Sequence, residues 1–378
     1  MLVSGVEDAR GKSVLNPRLL AYILVALVAM DVVLSAYSAL RAPFPATVPM
    51  GSPTAYRNIY LHIPLAWASL LMFTIAFIAA IGYVVKGKES LDRVVQGFAA
   101  IGLIFAFATL VTGSAWASES WGAAWNWDPR ETSVLLLFLA YLVYFVIRAS
   151  ISDPERARMV SNIYAIAAYA MVPVVFAAPV VAKVSLHPSF EAARQFLRHP
   201  AVLSLFVPKV LIVTVGGLLL GALASTKLVN VRELRIVRYA LLAALLVYIA
   251  LGVYVAAPWL SGRLAKVVDA SVDSQGLIHS LKLLRLDNGR LETIVFATPV
   301  RSPISPPVAR VVGENITRPT IVLHVIELDA LLNHHRIVIV DHWSVAVSLI
   351  LTGVSFYAGF EIAVRLAARH ARESSEEM

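Results

Sequence analysis

Trp116-Ala117-Ser118-Glu119-Ser120-Trp121-Gly122-Ala123-Ala124-Trp125-Asn126-Trp127-Asp128-Pro129-Arg130-Glu131-Thr132 holds four of the chain's seven tryptophans. Long apolar runs flank it, near 97–115 and 133–147. A segment between two membrane spans emerges at one face of the bilayer. Tryptophan favours that interface because its ring is apolar while its N–H seeks a partner. An aromatic belt is the plainer reading, but a belt needs one or two Trp per helix end. Four Trp with an Asp, an Arg and a Glu read better as a platform for a flat, apolar ligand with anionic edges. If the stretch is helical, Trp121 and Trp125 share a face at i, i+4. Asp128-Pro129 suits the start of the next span, with Asp128 as cap and Pro129 in the first turn.

Outward from this stretch the chain is hydrophobic throughout. Its 378 residues are 59% hydrophobic and 15% charged, with mean hydropathy +0.75. Soluble domains carry about 25% charged residues. The sequence therefore predicts an all-α polytopic integral membrane protein with about eight transmembrane helices. The spans fall near 19–40, 60–85, 95–115, 132–150, 159–182, 205–226, 237–257 and 343–364. The run at 19–40 is too long for a signal-peptide core and fits a retained first span. The net charge of +8 does not point to nucleic acid, because the basic residues gather in short loops.

Alternating the gaps between two sides sorts that charge. One side receives Arg10, Lys12, Arg18, Lys86, Lys88, Arg93, Arg148, Arg156, Arg158, Lys227, Arg232, Arg235, Arg238, Arg365, Arg369 and Arg372. The short loops of the other receive only Arg41, Arg57, Arg130, Lys183, Arg194, Arg198 and Lys209. The positive-inside rule makes the first side cytoplasmic, with both termini. The Trp-rich stretch, the 42–59 loop, the 183–204 loop and the segment 258–342 then face outward. Residues 1–18 form a cytoplasmic N-terminus, 19–227 a six-span core, and 228–257 a cytoplasmic loop with the seventh span. Residues 343–378 hold the eighth span and a cytoplasmic tail.

Residues 258–342 differ in texture. Short apolar runs alternate with turn signals: Lys266-Val267-Val268, Leu281 to Leu286, Glu292 to Phe296, Ile321 to Val325 and Arg336 to Val340. Asn288-Gly289 is a strong hairpin signal between two of them. The expectation is a small, mostly-β extracytoplasmic insert between the last two spans. Asn315-Ile316-Thr317 has the form of a glycosylation sequon, a triplet that arises often by chance.

His62, at the outer end of the second span, and His187, just beyond the fifth, are the leading candidate metal ligands. Ionisable residues at membrane depth are costly and often functional, and imidazole is a common axial ligand of haem iron. Two histidines from different spans can hold an iron from opposite sides. The plainer readings are an interfacial, hydrogen-bonded His62 and a loop histidine at 187. Arg57, Arg130 and Lys183 are candidate partners for ligand carboxylates, or for lipid headgroups. Asp128 and Glu131 read as pairing or capping groups that hold the platform, and Glu119 as a solvated loop residue. His334, His335, Asp341 and His342 form a weak metal alternative. The chain has no cysteine, which excludes disulfides, thiolate metal sites, a cysteine nucleophile and covalent haem attachment to this chain. No Walker, H-E-x-x-H or G-x-S-x-G motif is present.

At these residues the chain resembles the haem-handling proteins of cytochrome c maturation that carry a tryptophan-rich WWD motif, most of all the CcmC type. Leu110-Val111-Thr112-Gly113-Ser114-Ala115-Trp116 with Trp121-Gly122-Ala123-Ala124-Trp125-Asn126-Trp127-Asp128 is similar to the motif's core. Tyr56-Arg57-Asn58-Ile59-Tyr60-Leu61-His62-Ile63-Pro64 is similar to the segment with the first axial histidine, and Leu186-His187 falls where the second is expected. The resemblance covers roughly 19–227. It implies six spans and a haem b held transiently and non-covalently at the outer face. His62 and His187 would ligate the iron. Trp116, Trp121, Trp125, Trp127 and Asp128 would line the ligand, with Arg57 and Arg130 at the propionates. It implies delivery to a CcmE-like haem chaperone beside the CcmA–CcmB ABC transporter, in the cytoplasmic membrane, with no catalytic acid, base or nucleophile on this chain. Ala124-Trp125 replaces the motif's usual Trp-Trp pair. Pro129-Arg130-Glu131-Thr132 is also similar to the haem lyases CcsA and CcmF, so a lyase is the alternative. A non-haem transporter or scaffold is the third reading. Residues 228–378 have no counterpart in the six-span core.

Overall fold

The computed structural model describes residues 16–43, 53–121, 123–182, 185–187, 194, 197–261, 263–272, 277–285, 289–301, 322–325 and 343–376. Eight helical segments in it are long and apolar enough to cross a membrane, and the chain is a multi-pass membrane protein. They comprise α1 (Pro17–Leu40), α2 (His62–Lys86, preceded by a 3-10 turn over Pro53–Tyr60), α3 (Glu89–Trp121) and α4 (Pro129–Ser150). Then come α5 (Pro154–Ala168) with α6 (Met171–Val181), α7 (Pro200–Ala224), α8 (Arg235–Ser261) and α9 (Trp343–Glu376).

Local chemistry sets several boundaries. Asn16 caps α1 by accepting from the Arg18 N–H at 3.0 Å, with Pro17 in the first turn. Gly87, at φ +64°, closes α2 in the left-handed conformation that glycine adopts without strain. Asp153 caps α5 through the Arg156 N–H at 2.7 Å. The fifth span is split at Tyr169 and Ala170 rather than continuous over 159–182. Pro173 has no N–H to return to the Tyr169 carbonyl, and Val172 donates to that carbonyl instead, at 2.9 Å.

Helix α3 is the most buried of the spans. It lies against α2, α4, α7 and α9. Glycines on α7 let its neighbours close in. A Cβ on Gly221 would stand 2.7 Å from Phe98, and one on Gly216 would stand 2.5 Å from Phe356. Small residues serve this purpose where lipid supplies no hydrophobic drive between helices. Helices α8 and α9 lie against this bundle, α8 beside α1 and α9 along α3, α7 and α8.

Between α8 and α9 four described strands, β1 (Arg263–Val272), β2 (Leu277–Arg285), β3 (Leu291–Arg301) and β4 (Val322–Val325), form an antiparallel sheet in the order β3-β2-β1-β4. Gly289 precedes β3 at φ +68°. Arg336 to Val340, the sequon at 315–317 and the histidines at 334, 335 and 342 lie outside the described residues. The mostly-β character of 258–342 as a whole therefore stays an expectation.

Candidate histidine site at the Trp-rich end

The antiparallel order of the spans brings the start of α2, the end of α3, the start of α4 and the segment after α6 to one end of the bundle. His62 is the first residue of α2. Its Nδ1 lies 2.8 Å from Thr112 Oγ1 on α3. That hydroxyl donates to the Ala108 carbonyl at 2.7 Å. A hydroxyl has one hydrogen, so Nδ1 of His62 must be the donor. The imidazole is thereby fixed as the tautomer whose Nε2 carries the lone pair. A Cβ on Gly113 would stand 3.1 Å from His62 Cε1, so glycine makes room for the ring. Trp116 meets the ring edge-on at 5.7 Å and Tyr56 covers Trp116 at the same distance. The Trp116 Nε1–H is buried and has no acceptor among the described residues. Buried donors usually find partners. An orphan N–H beside the imidazole fits a ligand with an anionic or carbonyl edge.

His187 is held differently. Its Nδ1 lies 2.8 Å from Asp128 Oδ1. A carboxylate only accepts, so Nδ1 donates and Nε2 keeps its lone pair here too. The second Asp128 oxygen accepts from Ser185 Oγ at 2.8 Å and from the Leu186 N–H at 2.7 Å. Asp128 also caps α4, accepting from the Arg130 N–H at 2.9 Å and completing a capping box with Glu131. Burial alone would push the Asp128 carboxyl up. The hydrogen bonds from His187, Ser185 and Leu186 outweigh it and hold the group well below the usual carboxylate range. Trp121 lies edge-on to His187 at 4.9 Å.

The site differs from the sequence expectation in several respects. Trp121 is the last residue of α3, so it shares no helical face with Trp125; glycine, a poor helix former, follows it in the sequence. Trp125 and Trp127 meet edge-to-face at 5.8 Å in the connection to α4. Trp127 is 73% exposed and sits at φ +55°. Glu119 is not a solvated loop residue. It lies buried within α3 and accepts hydrogen bonds from Ser344. The Arg57 guanidinium reaches the Ala39 and Ala42 carbonyls at 3.0 and 3.1 Å, tying the turn before α2 to the end of α1. Arg130 is half-buried next to Asp128. Lys183 lies outside the described residues. Sequence reasoning missed Thr112, Gly113 and Ser185 as site residues. The only signal was a Thr-Gly-Ser triplet interrupting the apolar run of α3 and a serine two residues before His187.

The fold and site define a class: a polytopic membrane protein with two imidazoles, each fixed through Nδ1, facing a tryptophan cluster at one end of the bundle. Residues 9–180 match the family described as cytochrome C assembly protein. Heme exporter protein C of Bradyrhizobium diazoefficiens is 34% identical over 117 residues, 31% of this chain and 44% of that protein. Heme exporter protein C of Escherichia coli K12 is 35% identical over 122 residues, 32% of this chain and 49% of that protein. A putative cytochrome c biosynthesis ccmC-like mitochondrial protein of Marchantia polymorpha is 41% identical over 87 residues, 23% and 38% of the two chains. The chain spans about half or less of the length of these curated relatives. The similarities bear out the resemblance to CcmC-type proteins. The family match stops at residue 180, short of the 227 expected, and does not reach His187.

Proposed function

We infer that this chain binds haem between His62 and His187 and presents it for transfer to a haem chaperone during c-type cytochrome maturation. The observation that carries the reading is the matched pair of imidazoles. Each donates Nδ1–H to a buried acceptor and offers Nε2 to a metal, the arrangement by which proteins orient histidine ligands. Trp116 and Trp121 stand beside one imidazole each and supply apolar surface. Arg130, whose guanidinium has no hydrogen-bond partner among the described residues, takes a propionate. Arg57 serves instead to brace the turn that leads to His62. Haem b is cargo here, held by iron coordination without a covalent bond.

The sorting of basic residues supports an outer-face position for this end of the bundle in the cytoplasmic membrane, with both termini inside. The partners are a CcmE-like chaperone and the CcmA–CcmB transporter. Residues 258–342, whose described strands pair antiparallel, serve as an extracytoplasmic docking or shielding module. The second reading, a haem lyase related to CcsA and CcmF, is favoured only by Pro129-Arg130-Glu131-Thr132. A lyase would leave haem covalently joined to an apocytochrome supplied in the assay; a presenting protein leaves it extractable.

Haem titration of the detergent-purified protein tests the reading. The wild type gives a Soret band that His62→Ala and His187→Ala each weaken or shift. A wild type that takes no haem, even when co-expressed with its chaperone, returns the tryptophans to an interfacial belt.

A further inference from the structure

Residues 181–378 lie beyond the family match, yet their last helix reaches the histidine site. Ser344, in the first turn of α9, donates its N–H to Glu119 Oε1 at 2.9 Å and its hydroxyl to Oε2 at 2.5 Å. The same hydroxyl accepts from Asn58 Nδ2 at 2.7 Å. One turn further, Ser348 donates to Asn58 Oδ1 at 2.7 Å. Asn58 also donates to the Ala55 carbonyl at 2.9 Å. All four side chains are buried.

The two ends of this network meet the site. Glu119 sits on α3 between Trp116 and Trp121. The Asn58 carbonyl takes the N–H of Leu61, the residue before His62, at 3.0 Å. A buried carboxyl group is costly unless its oxygens are hydrogen-bonded, and Ser344 supplies a donor to each oxygen of Glu119. Glu119 therefore fixes the first turn of α9 against α3, and α9 in turn fixes Asn58. A second buried cluster makes an instructive contrast. Lys209 Nζ contacts Asp31 at 2.6 Å and Ser35 at 2.7 Å, and Tyr248 donates to Asp31 at 2.5 Å. It joins α1, α7 and α8 and, among the described residues, makes no hydrogen bond to the segments that carry the histidines.

We propose that Ser344 and Ser348 of α9, acting through Glu119 and Asn58, are positioning residues for His62, so that the last span sets the placement of one axial imidazole. The haem part of this inference rests on the function proposed above.

The test uses the full chain in detergent with Ser344→Ala, Glu119→Gln, Ser344→Thr and Tyr248→Phe, and two readouts. The first, needing no haem, is the rate at which diethyl pyrocarbonate modifies His62, followed by site-resolved mass spectrometry. The second is haem affinity. Ser344→Ala and Glu119→Gln speed modification several-fold and weaken haem binding about tenfold, the lower end for loss of an outer-shell contact. Ser344→Thr restores both, and Tyr248→Phe lowers thermal stability while leaving both at wild-type values. Should Ser344→Ala fail to accumulate, Ser348→Ala replaces it, since it leaves Glu119 satisfied. Wild-type modification and affinity in Ser344→Ala and Glu119→Gln overturn the proposal, and so does a Tyr248→Phe protein that changes both readouts equally. If modification of His62 responds but the wild type binds no haem, the positioning holds and the haem reading fails.

Discussion

The two histidines sit in unlike settings. His62 begins a helix within the bundle, and its supports come from several places: the Thr112 hydroxyl, the gap at Gly113, the Trp116 edge and the turn braced by Arg57 and Asn58. His187 lies after α6, and it, Ser185 and Leu186 all bond to one carboxylate, Asp128. Distributed support tolerates the loss of one contact, whereas concentrated support fails at a single point. For the haem-presenting function proposed above, this difference supplies one anchored ligand and one that a single group controls.

The contrast can be broken at four points, with effects that fall in order. Removing a ligand, by His62→Ala or His187→Ala, has the largest effect: haem affinity falls by more than the roughly 10–100-fold typical of outer-shell changes, as equilibrium titration would read. Asp128→Asn comes next. Asparagine still caps the helix, but its NH2 must face one of the two donor pairs that Asp128 serves, so stability falls by about 1–3 kcal/mol and the His187 imidazole loses its charged acceptor. Affinity falls by about 10–100-fold; a large loss of stability with unchanged affinity would make Asp128 a structural cap only. Thr112→Val leaves the half-buried His62 Nδ1–H without its acceptor, at a cost toward the lower end of about 1–3 kcal/mol. Because the rest of the His62 support remains, its effect on affinity is smaller than that of Asp128→Asn, and equal effects would erase the contrast. Gly113→Ala is the mildest. The added methyl stands 3.1 Å from Cε1, so the ring moves by a few tenths of an ångström, and the haem spectrum shifts without loss of binding.

Much of this was legible in the sequence because its signals are local. Span lengths come from composition, the Asp128-Pro129 cap from adjacent residues, and the candidate ligands from residue types scarce in apolar helices. What was hidden depends on distance along the chain. Nothing near Glu119 reveals that its partner is Ser344, 225 residues away. The grip of Asp128 on His187 spans 59 residues and does not show in either neighbourhood. The Trp121 and Trp125 pairing failed for another reason. Helix α3 ends at Trp121, and helical spacing does not carry across a helix end, where the start of α4 at Pro129 imposes its own geometry.

The most direct measurement is low-temperature electron paramagnetic resonance of the ferric haem-loaded protein. The account predicts a low-spin bis-imidazole signal in the wild type, conversion to high spin in both His62→Ala and His187→Ala, and return to low spin when imidazole is added to either. A high-spin wild type, or a low-spin signal untouched by both substitutions, would contradict it.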